Sequence, residues 1–223
     1  LGKPYVAHTL EVNDEEQLVV NLEEVDCTTF VEYVLAQSLA DTHGGEMEDY
    51  LKRIRYRDGR IDGYTSRLHY IAEWIESGVQ NGFIEDVTAQ CSPDTMLLQL
   101  SFMSTHSDSY RHLKQSPENV EKMKAVEKKL SGRFVHYLPK EKITDEGPAW
   151  IKDGDIFCIT TGIAGLDVVH LGFACHRDGQ LKLLHASSSR KQVVLSEGSF
   201  AQMFPLNKSW TGVRVLRMTT HEK

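Results

Sequence analysis

The sequence predicts an α+β fold in which a cysteine-bearing helix packs on an antiparallel sheet, with a helical insertion between the two. Three features predict it. Near the N-terminus, apolar residues recur at helical spacing directly after Cys27. Residues from Gly45 to about Gly147 are helical in period, polar and charged. From Trp150 onward come short runs rich in β-branched and aromatic residues, separated by Gly, Asp or Ser turns. Helical segments followed by a run of strands suit helices gathered on an antiparallel sheet. The 223 residues are enough for one good core with a large insertion, so a single domain is expected.

Taken in order, Leu1–Val6 carries a Gly-Lys-Pro-Tyr turn and leads into a short polar loop. Leu18–Leu22 is an apolar run before the acidic approach of Glu23, Glu24 and Asp26. Phe30, Val31, Val34, Leu35 and Leu39 then recur at i, i+3, i+4 spacing, and His43-Gly44-Gly45 is a stop signal. Cys27 opens this helix, against the unpaired N–H groups and positive dipole end of the first turn, a setting that favours thiolate. Free cysteines are also among the most buried residues, so a packing role stands beside the nucleophilic one.

In the middle, Met47, Tyr50, Leu51 and Ile54 form one helical stripe. Ser66 to Val79 reads as a second helix, with Leu68, Ile71, Ala72 and Ile75 on one face. Met96, Leu97, Leu100 and Met103 read as a third. Pro117 to Leu130 is a fourth, with Pro117 near its start and Gly132 just past its end. In the C-terminal part, Ile156–Thr160, Val168–Cys175, Leu181–His185, Gln192–Leu195 and Val213–Met218 read as strands. Arg177-Asp178-Gly179 between two of them is a hairpin signal.

Composition narrows the function. A formal net charge of −7 with no basic block argues against nucleic acid. No apolar run is long enough to span a membrane. The four cysteines, Cys27, Cys91, Cys158 and Cys175, form no C-x-x-C pair and are too sparse for a disulfide scaffold. No histidine cluster has metal-ligand spacing, so neither metal nor cofactor is expected. The chain begins at Leu1 rather than Met, and a preceding segment that would hold any export signal is expected.

A cysteine nucleophile needs a base, and the base needs a partner to hold its tautomer. Of ten histidines, His43, His106, His112, His136 and His221 sit in polar or helical surroundings, and His8, His69 and His176 are ambiguous. His170 and His185 fall in strand patterns on either side of the hairpin turn, where adjacent strands would set them roughly opposite each other.

Several segments resemble the NlpC-like cysteine peptidases and amidases of bacterial cell walls. Asp26-Cys27-Thr28-Thr29-Phe30-Val31 resembles their nucleophile motif, and Val169-His170-Leu171-Gly172-Phe173 their base motif. Leu184-His185-Ala186-Ser187-Ser188 is similar to the motif that follows, Gly154-Asp155-Ile156 to the start of the sheet, and Leu1-Gly2-Lys3-Pro4-Tyr5 to the segment ahead of the nucleophile. The resemblance implies a papain-like core of residues 1–44 and 148–223 interrupted by an insertion of about 45–147. It implies Cys27 as nucleophile, His170 as general base and His185 as the orienting third member. Tyr5 would help stabilise an oxyanion, and Asp26 and Thr28 would contact the substrate backbone. Peptidoglycan fragments acted on in the periplasm or cell envelope would be the substrates. Three features depart from compact members: His170 lies 143 residues beyond Cys27, Thr28-Thr29 replaces Ser-Gly, and Tyr5 is not followed by Gly-Gly.

A branch with a long helical insertion and with DCTTFVE-like and RLHY-like segments resembles N-acetylmuramoyl-L-alanine amidases, which cleave the amide between the muramic lactyl group and L-alanine. The alternative in the wider family is a γ-D-glutamyl–diamino acid endopeptidase, in which acidic groups such as Asp26 recognise a free alanine amine. A non-catalytic wall-peptide-binding module and a thiol acyltransferase are rivals of other classes. Within the insertion, Tyr64, Arg67 and Tyr70 are spaced to share one helix face, where Arg67 could hold a stem-peptide carboxylate and the tyrosines could flank a sugar. The competing reading is a wet helix whose arginines pair with Asp58, Asp62 and Glu73.

Overall fold

The computed structural model describes residues 1–220; His221 lies outside the described residues. The first helix, α1 (Cys27–His43), begins where the sequence placed it. Asp26 accepts a hydrogen bond from the Thr29 N–H at 2.8 Å, and the Thr29 hydroxyl accepts from the Asp26 N–H at 2.9 Å, a reciprocal cap that fixes the first turn. Gly44 ends the helix at φ 79°, in the left-handed region that glycine enters without steric cost. Val31, Leu35, Ala36 and Leu39 are buried, whereas Val34, which the spacing put on the same stripe, is 39% exposed.

The following helices are α2 (Met47–Arg55), α3 (Ile71–Gln80) and three short ones: α4 (Val87–Cys91), α5 (Phe102–Thr105) and α6 (Arg111–Lys114). The long α7 (Pro117–Leu130) and short α8 (Phe200–Met203) complete the set. The strands are β1 (Ile84–Asp86), β2 (Thr95–Leu97), β3 (Phe134–His136), β4 (Leu138–Pro139), β5 (Ile156–Thr161), β6 (Val168–Arg177), β7 (Gln180–Ser187), β8 (Gln192–Leu195) and β9 (Trp210–Met218). The main sheet runs β1-β9-β5-β6-β7-β8 with antiparallel pairing, and β4 also pairs with β9. The β6–β7 hairpin turns at Asp178 and Gly179, both at positive φ, as a two-residue turn matched to strand twist requires.

Both faces of the sheet are covered. Leu35 and Leu39 of α1 join Ile156, Leu171, Phe173 and Ala186 on one face; Phe200 and Phe204 join Phe157, Ile159, Leu183 and Val215 on the other. Burial on two sides explains why β5 reads as a continuous apolar run rather than an alternating one.

The middle of the chain departs from the expected all-helical insertion. Its β1 and β4 join the main sheet through β9, and Leu51, Ile54, Trp74 and Ile75 enter the same core cluster as α1. The expected third helix is absent. Thr95–Leu97 pairs with Phe134–His136 instead, and the chain continues with Leu98 and Leu100 buried and Leu97 and Gln99 exposed. That is a period of two, which the wider apolar spacing masked. The expected second helix starts only at Ile71. Before it, Arg67 pairs back on Tyr56 and the Leu68 N–H donates to the Arg55 carbonyl at 2.8 Å, so residues 67–69 cannot be helical. The start of α3 is capped from afar by Asp167, which accepts from the Ala72 N–H at 2.6 Å and from the Val168 N–H at 2.9 Å. This carboxylate ties the middle of the chain to the start of β6.

Candidate active site

The N-terminal segment is tied to β8 and to the approach to α1. Gly2 and Lys3 hydrogen-bond to Val193 of β8, Tyr5 donates its N–H to the Lys191 carbonyl, and Tyr5 bridges Val25 in parallel. Two residues on, Cys27 stands half-buried at the capped start of α1. Its sulfur lies 4.0 Å from the Thr28 hydroxyl, and α1 packs against β6, the strand that carries His170.

His170 and His185 come together as the sequence required, but diagonally. Continuing the β6–β7 register past Phe173 and Leu184 sets His185 across from Gly172, two residues from His170. The rings meet edge to face, with His170 Nε2 and His185 Nδ1 2.6 Å apart. Gly172 makes room for this: a Cβ there would come within 2.8 Å of the Leu184 carbonyl oxygen and 3.0 Å of the His185 Cβ. Since Nε2 of His170 is engaged, Nδ1 is the nitrogen left to meet a thiol. Trp210, which nothing in the local sequence singles out, lies nearly parallel to the His170 ring with centroids 5.9 Å apart. It belongs to the apolar cluster behind the imidazole and holds the ring from its second side.

The electrostatics differ from what the helix terminus alone suggests. Burial pushes the Cys27 thiol up to about 11, and the Asp26 carboxylate adds in the same direction, against smaller lowering hydrogen bonds from Leu171 and Thr28. Burial, with His185 next to it, brings His170 down to about 3, and burial alone brings His185 down to about 4. Desolvation thus outweighs the helix dipole, and the resting site is a neutral thiol beside neutral imidazoles. Tyr5 is raised by burial and then by Cys27 and Asp26, which keeps its hydroxyl protonated as a donor. Asp26→Asn preserves the helix cap and removes the nearby charge. It is expected to speed iodoacetamide alkylation of Cys27 at pH 8, by about tenfold for each unit the thiol falls. An unchanged or slower rate would show that Asp26 does not hold the thiol protonated.

Tyr64, Arg67 and Tyr70 do not share one helix face, and the structure corrects that part of the reading. Tyr64 lies in a single 3-10 turn, Arg67 is extended, and all three are buried. Arg67 grips Glu16 through two nitrogens at 2.7 and 2.9 Å and Glu11 at 2.9 Å. The Tyr70 hydroxyl donates to Glu127 at 2.7 Å and accepts from the Met103 N–H at 3.0 Å. The Tyr64 ring sits between His69 and His112. None of the three hydrogen-bonds to Tyr5, Asp26, Cys27, His170 or His185. The nearby ion pair that the sequence did suggest is Arg57 with Glu73, held by two bonds of 2.8 Å. Among the described residues, no group of three or more His, Cys, Asp or Glu is placed to hold a metal ion, and no helix is long and apolar enough to cross a membrane.

A family described as AmiA-like, N-acetylmuramoyl-L-alanine amidase-like, matches residues 1–211. The chain belongs to this AmiA-like family. An N-acetylmuramoyl-L-alanine amidase from Bacteroides uniformis is 57% identical, with a TM-score of 0.96 over 98% of this chain and 94% of that one. A Bacteroides fragilis protein provisionally named a xylanase is 55% identical, with a TM-score of 0.94 over 97% of this chain and 96% of that one. A Legionella pneumophila protein of the DUF1460 family is 22% identical with a TM-score of 0.70, covering 97% of this chain and 84% of that one, and shares the fold. No curated protein matched. The AmiA-like match runs through the middle of the chain as well as both flanks, in line with a segment 45–147 that is built into the sheet.

Proposed function

We propose that the chain is a thiol-dependent peptidoglycan hydrolase that cleaves the amide between the lactyl group of N-acetylmuramic acid and L-alanine. The observation that carries this reading is the Cys27–His170–His185 arrangement: a thiol at the capped start of a helix that packs on the strand carrying His170, and on that strand an imidazole with one nitrogen engaged by a second imidazole. It is the relation between nucleophile, base and orienting group that NlpC-like, papain-like hydrolases use, and we place the chain with them in mechanism. The pair of carboxylates that a glycosidase needs is a different chemistry.

Because the resting thiol is neutral, attack and proton transfer are coupled. The Cys27 sulfur bonds to the amide carbon while its proton passes to His170 Nδ1. The carbonyl oxygen gains charge facing the Cys27 N–H and the Tyr5 hydroxyl. The His170 imidazolium then protonates the alanine nitrogen, the C–N bond breaks, and a thioester to the lactyl group remains. Water, deprotonated by His170, attacks that thioester, releasing the muramic carboxylate and restoring the thiol. His185 accepts from His170 Nε2–H and so keeps Nδ1 free as the base.

The endopeptidase alternative asks Asp26 to bind a free alanine amine. Asp26 Oδ1 is already committed to the Thr29 N–H and hydroxyl, which disfavours that role. We place the activity in the cell envelope, where intact peptidoglycan lies. Defined muropeptides incubated with the protein and read by mass spectrometry test the reading. Release of free stem peptide together with a muramic sugar bearing its lactyl carboxylate is expected. Release of alanyl-glutamate instead would replace it with the endopeptidase.

A further inference from the structure

The proposed mechanism fixes a proton that it does not use. If His170 is to receive the thiol proton at Nδ1, its own proton sits on Nε2 and is donated to His185 Nδ1, 2.6 Å away. His185 must then carry its proton on Nε2. His185 is 93% buried (7% exposed), yet that nitrogen has no hydrogen-bond partner among the described residues and is not sealed from solvent. Because that N–H opens toward solvent, it is available to an acceptor from outside the chain, whether water or an oxygen of a bound ligand.

The opening beside it is a groove of about 740 Å³ lined by His185, within the roughly 300–1,000 Å³ range of small-ligand sites. One wall is β7–β8, where Val194 pairs directly with His185 and Gln192 follows along the strand. The other wall is α8 and the turn after it, with Gln202 and Asn207. The lining is rich in hydroxyls and amides, and among the described residues its charged side chains, Arg190 and Glu197, form one solvent-exposed ion pair. Leu206 lies at the rim, 83% exposed. Neutral donors and acceptors beside an exposed apolar side chain fit a saccharide, whose hydroxyls and acetamido group are uncharged and whose ring has an apolar face. They offer no unpaired charge to a carboxylate.

We propose that this groove is a glycan subsite, and that an oxygen of the bound sugar accepts the His185 Nε2–H, making the ligand the fourth member of the relay. The proposal rests on the triad reading above. Sugar binding would then strengthen the His185 hold on His170, so that the glycan contributes to turnover as well as to affinity.

The test uses the full chain carrying Cys27→Ala, labelled with ¹⁵N in its imidazoles and titrated with N-acetylmuramic acid. A saturable shift of the His185 Nε2 resonance is expected. Gln192→Trp and Gln202→Trp, at exposed positions on opposite walls, are expected to weaken binding by about tenfold or more. No shift, or binding unaltered by both substitutions while each variant keeps its melting temperature, overturns the proposal. With active protein, the kcat/KM ratio between muramoyl-L-alanyl and lactoyl-L-alanyl peptides is expected to fall about tenfold in the same variants. Sugar binding in the titration with cleavage only at the γ-D-glutamyl bond would leave the groove standing and overturn the amidase reading instead.

Discussion

Cys27→Ala is expected to abolish turnover of muropeptides, by about 10⁴-fold or more, and to leave the melting temperature nearly unchanged. Both halves follow from position. The side chain is only partly buried at the first helical residue, where alanine is a good helix former and only the sulfur is removed. The helix cap comes from Asp26 and Thr29 and is untouched. Cys91 is exposed and Cys175 half-buried, so their alanine variants should keep full activity. Cys158 is fully buried in the core on the α1 side, and Cys158→Ala should cost stability but not activity per folded molecule. Adding His170→Ala to Cys27→Ala should remove nothing further, since members of one catalytic unit do not act additively. Turnover surviving in Cys27→Ala, measured by release of stem peptide, would end the thiol mechanism.

What the sequence made legible and what it hid divide along a physical line. α1, α7 and all five C-terminal strands were readable because a strong local signal, a cap, a stripe or a glycine turn, agrees with the tertiary packing. The pairing of His170 with His185 was readable because both lie in strand patterns flanking one hairpin turn, and the place of Cys27 because a helical stripe starts directly after it. The middle misled where tertiary pairing overrides local period: Thr95–Leu97 is a strand because Phe134–His136 lies beside it, nearly forty residues away in sequence. Trp210 was invisible because its contact exists only once β9 has paired with β5, whose other neighbour β6 carries His170. The ion pairs of Arg67 were hidden for another reason. The density of charged and aromatic neighbours around Arg67 was visible, but its partners Glu11 and Glu16 belong to a polar loop more than fifty residues earlier with no periodicity of its own.

That loop makes Arg67→Ala the second large effect, on stability. Residues 8–24 connect Tyr5 to the nucleophile helix, and much of their anchorage is electrostatic. The Glu16 carboxylate, with its side chain 3% exposed, meets two nitrogens of Arg67 and also accepts from the Tyr56 hydroxyl at 2.8 Å. Removing the guanidinium strands Glu16 and most of Glu11 without their counter-charge. Breaking a buried pair from one side costs about 3–5 kcal/mol, and a chain of this size loses roughly 2–4 °C of melting temperature per kcal/mol. Arg111 ties the same loop to α6 through Asp14, but both side chains are well exposed. Arg111→Ala should therefore cost no more than about 1 kcal/mol. Arg67→Lys should recover only part of the loss, because an ammonium cannot meet Glu16 bidentately. Glu16→Gln combined with Arg67→Ala should be milder than Arg67→Ala alone, since the double variant buries no unpaired charge. Calorimetry of the four variants separates the two accounts of Arg67. A melting temperature unmoved in Arg67→Ala, with a raised KM for stem-bearing substrates, would return this residue to the binding site. A fall of several degrees, eased by Glu16→Gln, makes it the anchor of the loop that brings Tyr5 and Cys27 into register.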